Sequence, residues 1–176
     1  HRPRNPEIYK APYVLFKKGL DCADYSIRAV YTESDFLYRE TINCIKGSEK
    51  DKKTLLNLCG LLNSSLFSYF NLMLGSSTGI EREQIFLEEL GNYPYVYNDE
   101  LVELVEKMQR EEWGKNRNEL QVALNQCVMR MYGLQDNYFV DYALSIQIPM
   151  LCGTYQETKC DAKTMKEYVS ILSKIW

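Results

Sequence analysis

The sequence predicts an α+β fold, a small and mostly antiparallel sheet packed on a long helix and followed by a helical C-terminal extension. Three observations carry that expectation. The first 47 residues hold short runs rich in β-branched and aromatic residues, separated by turn residues. From Leu55 to Met73 apolar residues recur three and four apart, the period of a helix face. Beyond Asn98 that period returns in an acidic setting.

Taken in order, residues 11–19 (APYVLFKKG) read as a first strand ending in a glycine. The turn-like LDCAD follows, and residues 25–31 (YSIRAVY) alternate as a second strand. Residues 36–47 hold a third, centred on 40–45. Residues 51–74 form one long helix, with Leu55, Leu58, Cys59, Leu62, Leu66, Tyr69, Phe70 and Met73 on its apolar face. Ser48 or Asp51 caps its start and Gly75 ends it. A polar loop, SSTGIERE, leads to residues 84–90 as a fourth strand. Asn98 or Asp99 caps the next helix, whose stripe is Leu101, Val102, Leu104, Val105 and Met108. A charged stretch at 110–117 separates it from a helix over 120–132 that stops at Gly133. Residues 136–146 and 161–175 read as two further helices. The expected division is an α+β domain over residues 1–97 and a helical spacer or extension over 98–176.

Composition narrows the function classes. The most apolar stretch, 55–74, is interrupted by Asn57, Asn63, Ser64, Ser65, Ser68 and Asn71, so it reads as a buried helix rather than a membrane span. The six cysteines lack the clustered spacing of a zinc site, and the only histidine is residue 1. Cys59 and Cys127 read as small core residues in a reducing, cytoplasmic compartment. The chain opens without an initiator methionine or secretory signal, so it reads as a fragment of a longer protein. Net charge is −3, but the distribution is uneven. Residues 1–82 carry 12 Lys/Arg against 9 Asp/Glu, and residues 83–176 carry 9 against 15. A binding face for an anionic partner therefore belongs on the first half.

Catalysis within this segment is not expected. Gly-rich phosphate loops are absent, and a single histidine at the terminus rules out a Ser/His/Asp or Cys/His set. Glu88-Glu89 and Glu111-Glu112 read as solvated faces, because acid/base work needs groups converging on a pocket. Glu49-Lys50-Asp51-Lys52 vaguely resembles a nuclease motif but lies in a polar turn.

Four stretches together resemble a known family. KAPYVLFKKG followed by IRAVYTESDFLYRETINCIKG resembles the opening strands of the target-recognition domain at the C-terminus of TaqI-like adenine-N6 DNA methyltransferases. LLNLCGLLNSSLFSYFNLMLGSSTGIERE is similar to that family's helix, with its LLNS core and Ser/Gly-rich exit loop. NYPYVYNDELVELV looks like its passage into a helical spacer, and LNQCVMRMYGLQDNYFVDYAL resembles an element of single-chain restriction-modification enzymes. The resemblance covers about residues 8 to 146. The family's Asn-Pro-Pro-Tyr/Phe loop is not here: Asn5-Pro6-Glu7 and Asn92-Tyr93-Pro94 depart from it. The resemblance thus implies a DNA specificity domain without enzyme activity or cofactor of its own. Its implied partners are double-stranded DNA and an upstream methyltransferase domain that binds S-adenosylmethionine. In such a domain, base edges are read in the major groove.

Candidate DNA contacts follow from residue type and place. Lys17 and Lys18 end the first strand, where a cation reaches phosphate or base edges. Arg28 on the second strand and Arg39 before the third suit bidentate contact to guanine, or internal ion pairs with Glu33, Asp35 or Glu40. Ser76, Ser77, Thr78 and Gly79 offer hydroxyls and backbone N–H groups to phosphate, with Arg82 adding charge, though the same residues make an ordinary turn. Tyr13, Tyr25, Tyr31 and Tyr38 read mainly as packing residues with a wet hydroxyl. Two rival readings are a recognition domain of a separate type I restriction specificity subunit, and a protein-interaction domain without a DNA role. The second draws on the acidic pI of about 5.3.

Overall fold

A computed structural model describes residues 5–20, 26–76, 84–111 and 116–134. Three strands, β1 (Tyr13–Lys17), β2 (Ala29–Thr32) and β3 (Ile42–Lys46), form one antiparallel sheet in the order β2-β1-β3. Helices α1 (Lys52–Leu62), α2 (Ser65–Leu74), α3 (Leu87–Leu90), α4 (Asp99–Arg110) and α5 (Arg117–Met131) complete the described chain. The class is the α+β one that the sequence predicts. Residues 136–146 and 161–175, expected as helices, lie outside the described residues.

The pleat sorts the strands by burial. Val14, Phe16 and Tyr31 turn inward onto α1, while Val30 and Lys17 stay exposed on the opposite face. The inward side chains join Leu55, Leu56, Cys59 and Leu62 of α1 in a core that continues to Leu101, Val102 and Val105 of α4 and Leu124, Cys127 and Val128 of α5. The helices of the expected extension thus pack on the helix that backs the sheet. Gly60 sets how closely α1 and α4 approach: a Cβ there would lie 2.7 Å from Leu101 Cγ and 2.9 Å from Val105 Cγ2. Beside this seam Asn57, fully buried, donates to Val96 O (2.9 Å) and accepts from Asn98 N (3.0 Å). Asn98 in turn caps α4, its side chain accepting from Glu100 N and Leu101 N.

Two expectations are corrected. The single helix over 51–74 is two helices, broken at Asn63 and Ser64. Ser64 has extended backbone and its Oγ accepts from Phe67 N (3.2 Å), a helix start placed where the apolar residues on either side keep helical spacing. The break lets Asn63 face β2, where its amide accepts from Ala29 N (3.1 Å) and donates to Ala29 O (2.8 Å). Gln109 of α4 donates to Tyr31 O (2.9 Å) on the same strand edge. The second correction concerns residues 84–90. Gln84 makes one isolated bridge to Gly19, and residues 87–90 are α3. Leu87 and Leu90 stand at helical spacing, and Phe86 O accepts from both Glu89 N and Leu90 N, which closes a turn instead of extending a ladder.

Helix boundaries otherwise follow capping chemistry. Ser48 and Asp51 form a reciprocal capping box ahead of α1. Gly133, with φ of 67°, takes the left-handed position after α5 that favours glycine. Among the described residues no helix is long and apolar enough to cross a membrane.

Candidate nucleic-acid interface

Four of the predicted contact residues meet at one end of the sheet. The register pairs Phe16 with Ala29 on one side and with Asn43 on the other, and Lys17 with Ile42. Continuing it by one residue sets Arg28 across from Lys17, with neighbouring strands about 4.8 Å apart. Lys18 N donates to Thr41 O (2.9 Å), and Ile42 N donates to Arg39 O (3.0 Å), so the turn carrying Arg39 closes against the same end. Lys17, Arg28 and Arg39 are exposed and Lys18 is half-buried. By strand alternation Lys17 and Arg28 share the outer face with Val30, whose side chain is 51% exposed. Sequence position alone placed these cations on three separate elements; the antiparallel pairing makes them one cluster.

A buried device fixes this end. Ile85, itself buried, donates its N–H to Lys18 O (2.7 Å), and its carbonyl accepts from Asn43 Nδ2 (2.9 Å). Asn43, on the inward face of β3, thereby ties Lys18 to a residue brought back by the chain after α2. The sequence offered one hint of this, an Asn in the apolar alternation of a strand.

Of the loop after α2, Ser76 is exposed and its N–H donates to Glu89 Oε1 (3.2 Å), which engages the group expected to face phosphate. Ser77, Thr78, Gly79 and Arg82 lie outside the described residues, as does Tyr25. The other tyrosines near the sheet are structural. Tyr13 OH accepts from Phe36 N (2.7 Å) and donates to Ser34 O (3.1 Å). Tyr31 OH donates to Glu33 Oε1 (2.8 Å), and Tyr38 OH donates to Ile8 O (2.9 Å). Burial pushes all three phenols above their ordinary pKa, so they stay neutral donors.

The segment between β2 and β3 crosses the outer face, from the Tyr13 end to the Lys18 end. Of the acids near Arg28 and Arg39, Glu33 pairs with Lys52 (2.7 Å), which holds its carboxyl below the usual range, and Asp35 accepts from Ala11 N (2.8 Å). Glu40 is exposed beside Arg39. Phe36 and Leu37 on this segment are 53% and 86% exposed, and sequence reading had not singled them out. A groove of about 350 Å³ opens at the other end of β2, lined by Glu33, Lys52, Glu106 and Arg110 among others. Its charges pair off, Arg110 with Glu106 at 3.2 Å and Lys52 with Glu33, so it adds no net charge.

Among the described residues no group of His, Cys, Asp or Glu is arranged to hold a metal ion. No protein-family model matches the chain, and no curated protein matches it.

Proposed function

We propose that this chain is the DNA sequence-recognition module of a bacterial adenine-N6 DNA methyltransferase or restriction-modification enzyme. It positions double-stranded DNA for an upstream, S-adenosylmethionine-dependent catalytic domain of the same polypeptide in the cytoplasm, and performs no chemistry itself. The observation that supports the reading is the convergence of Lys17, Lys18, Arg28 and Arg39 on one end of a rigid sheet. Cations held at fixed spacing on a sheet suit phosphate and base-edge contacts, and their charge acts through counterion release. The sheet's outer face sets aliphatic Val30 beside these cations.

Titration of duplex DNA at several salt concentrations tests this. Binding is expected to weaken with salt, and each phosphate contact removed by Lys17→Gln, Lys18→Gln or Arg39→Gln lowers the log–log slope by about 0.9. Absence of salt-dependent binding, or a slope unchanged in the triple variant, would overturn the assignment.

A further inference from the structure

We infer that Phe36 and Leu37 form an apolar wedge that enters the base stack of the bound duplex, an inference that rests on the DNA reading above. Leu37 is 86% exposed and Phe36 53%, an adjacent pair of large apolar side chains left in water. Exposure of this kind usually accompanies a slack loop, yet this segment is fastened along its length. Ser34 N donates to Thr32 Oγ1 (3.0 Å), Asp35 Oδ1 accepts from Ala11 N (2.8 Å), and Phe36 N donates to the buried Tyr13 hydroxyl (2.7 Å). Tyr38 turns inward, its ring edge-on to Tyr13 (6.1 Å) and to Tyr9 (5.1 Å), with its hydroxyl on Ile8 O. The inward Tyr38 leaves Leu37 and Arg39 exposed on either side of it.

A rigid, protruding Phe-Leu pair loses little entropy on insertion, the requirement for a side chain that must separate stacked bases. The partner is set by charge. Arg39 stands two residues from Leu37, and the turn it belongs to closes on Lys18, beside Lys17 and Arg28. Glu33 and Asp35 are engaged internally, which leaves Glu40 as the acid beside Arg39 in this segment. Phosphates on Lys17, Lys18 and Arg39 would bring the base stack against the wedge, and an apolar protein surface would offer these cations no matching charge.

The test uses the 176-residue chain and two DNA probes, a short duplex and the same duplex with one central abasic site. The gap prepays the unstacking that a wedge requires, so the native chain is expected to prefer the abasic duplex by on the order of tenfold. Leu37→Ala and Phe36→Ala should bring that ratio close to one while keeping the salt slope, and Leu37→Met should restore it. Lys17→Gln with Lys18→Gln should weaken both probes and keep the ratio. Salt-dependent binding with no abasic preference, or a preference that survives Leu37→Ala, overturns the wedge and leaves the DNA reading standing. Failure to bind either probe overturns the DNA reading itself. Because Leu37 is 86% and Phe36 53% exposed, the variants are expected to remain folded.

Discussion

The two faces of the sheet follow opposite rules. On the inner face Val14, Phe16 and Tyr31 are buried, and the polar groups in the core behind them are matched: Asn43 to Ile85, and Asn57 of α1 to Val96 and Asn98. On the outer face, at the Lys17 end, cations and aliphatic groups stand in water side by side. One strand supplies both, since alternate residues of β1 point to opposite sides. The lesson is that the buried core and the proposed recognition surface draw on alternate residues of the same strands, so the exposed cations can be altered without touching the core.

The sharpest break of that separation would come from the seam of α1 and α4. Gly60→Val places atoms where Leu101 and Val105 already lie, and it should cost about 3 kcal/mol of unfolding free energy, read as a lower urea midpoint. Asn57→Leu keeps the number and branching of side-chain heavy atoms but strands Val96 O and Asn98 N, at a cost of about 2 kcal/mol by the same measurement. The core also carries an alkaline liability. Burial pushes the Cys59 thiol up to about 12 from its ordinary 9.0, so the unfolded chain releases that proton first. This contribution is fully present below about pH 9 and is lost as pH rises toward 12, removing about 1 kcal/mol by pH 10. Urea midpoints should therefore fall more steeply with pH for the native chain than for Cys59→Ala. At the small end, Leu37→Ala on the outer face should change stability by less than about 0.5 kcal/mol. A larger loss would mean that the two residue sets are not separate.

Much of the fold was legible because its cues are local. Alternation marks the first three strands, Ser48 or Asp51 marks the start of the first helix, and Asn98 or Asp99 that of the fourth, where the structure selects Asn98. The break at Asn63–Ser64 was hidden because Leu61, Leu62, Leu66 and Phe67 keep helical spacing across it. The reason for the break, a strand edge 34 residues earlier in the chain, is nonlocal. The same holds for residues 84–90, where a buried Ile85 mimics a strand but Leu87 and Leu90 close a helical turn. At the candidate interface, residue type identified Lys17, Lys18, Arg28 and Arg39, while register alone made them a cluster. Phe36 and Leu37 were unreadable for the opposite reason, since an apolar pair in a sequence is taken for core until its surroundings are known.

The amide of Asn63 on Ala29 and that of Gln109 on Tyr31 have a consequence for how the protein behaves in crowded solution. A three-stranded sheet has two rims, and an unsatisfied rim is a template onto which another chain can add a strand. Here the β2 rim is occupied by side chains reaching from α1 and α4, residues that must be displaced before any foreign strand can pair. Intermolecular sheet growth at that rim therefore requires prior detachment of the helices, which links resistance to aggregation directly to the cohesion of the helical layer.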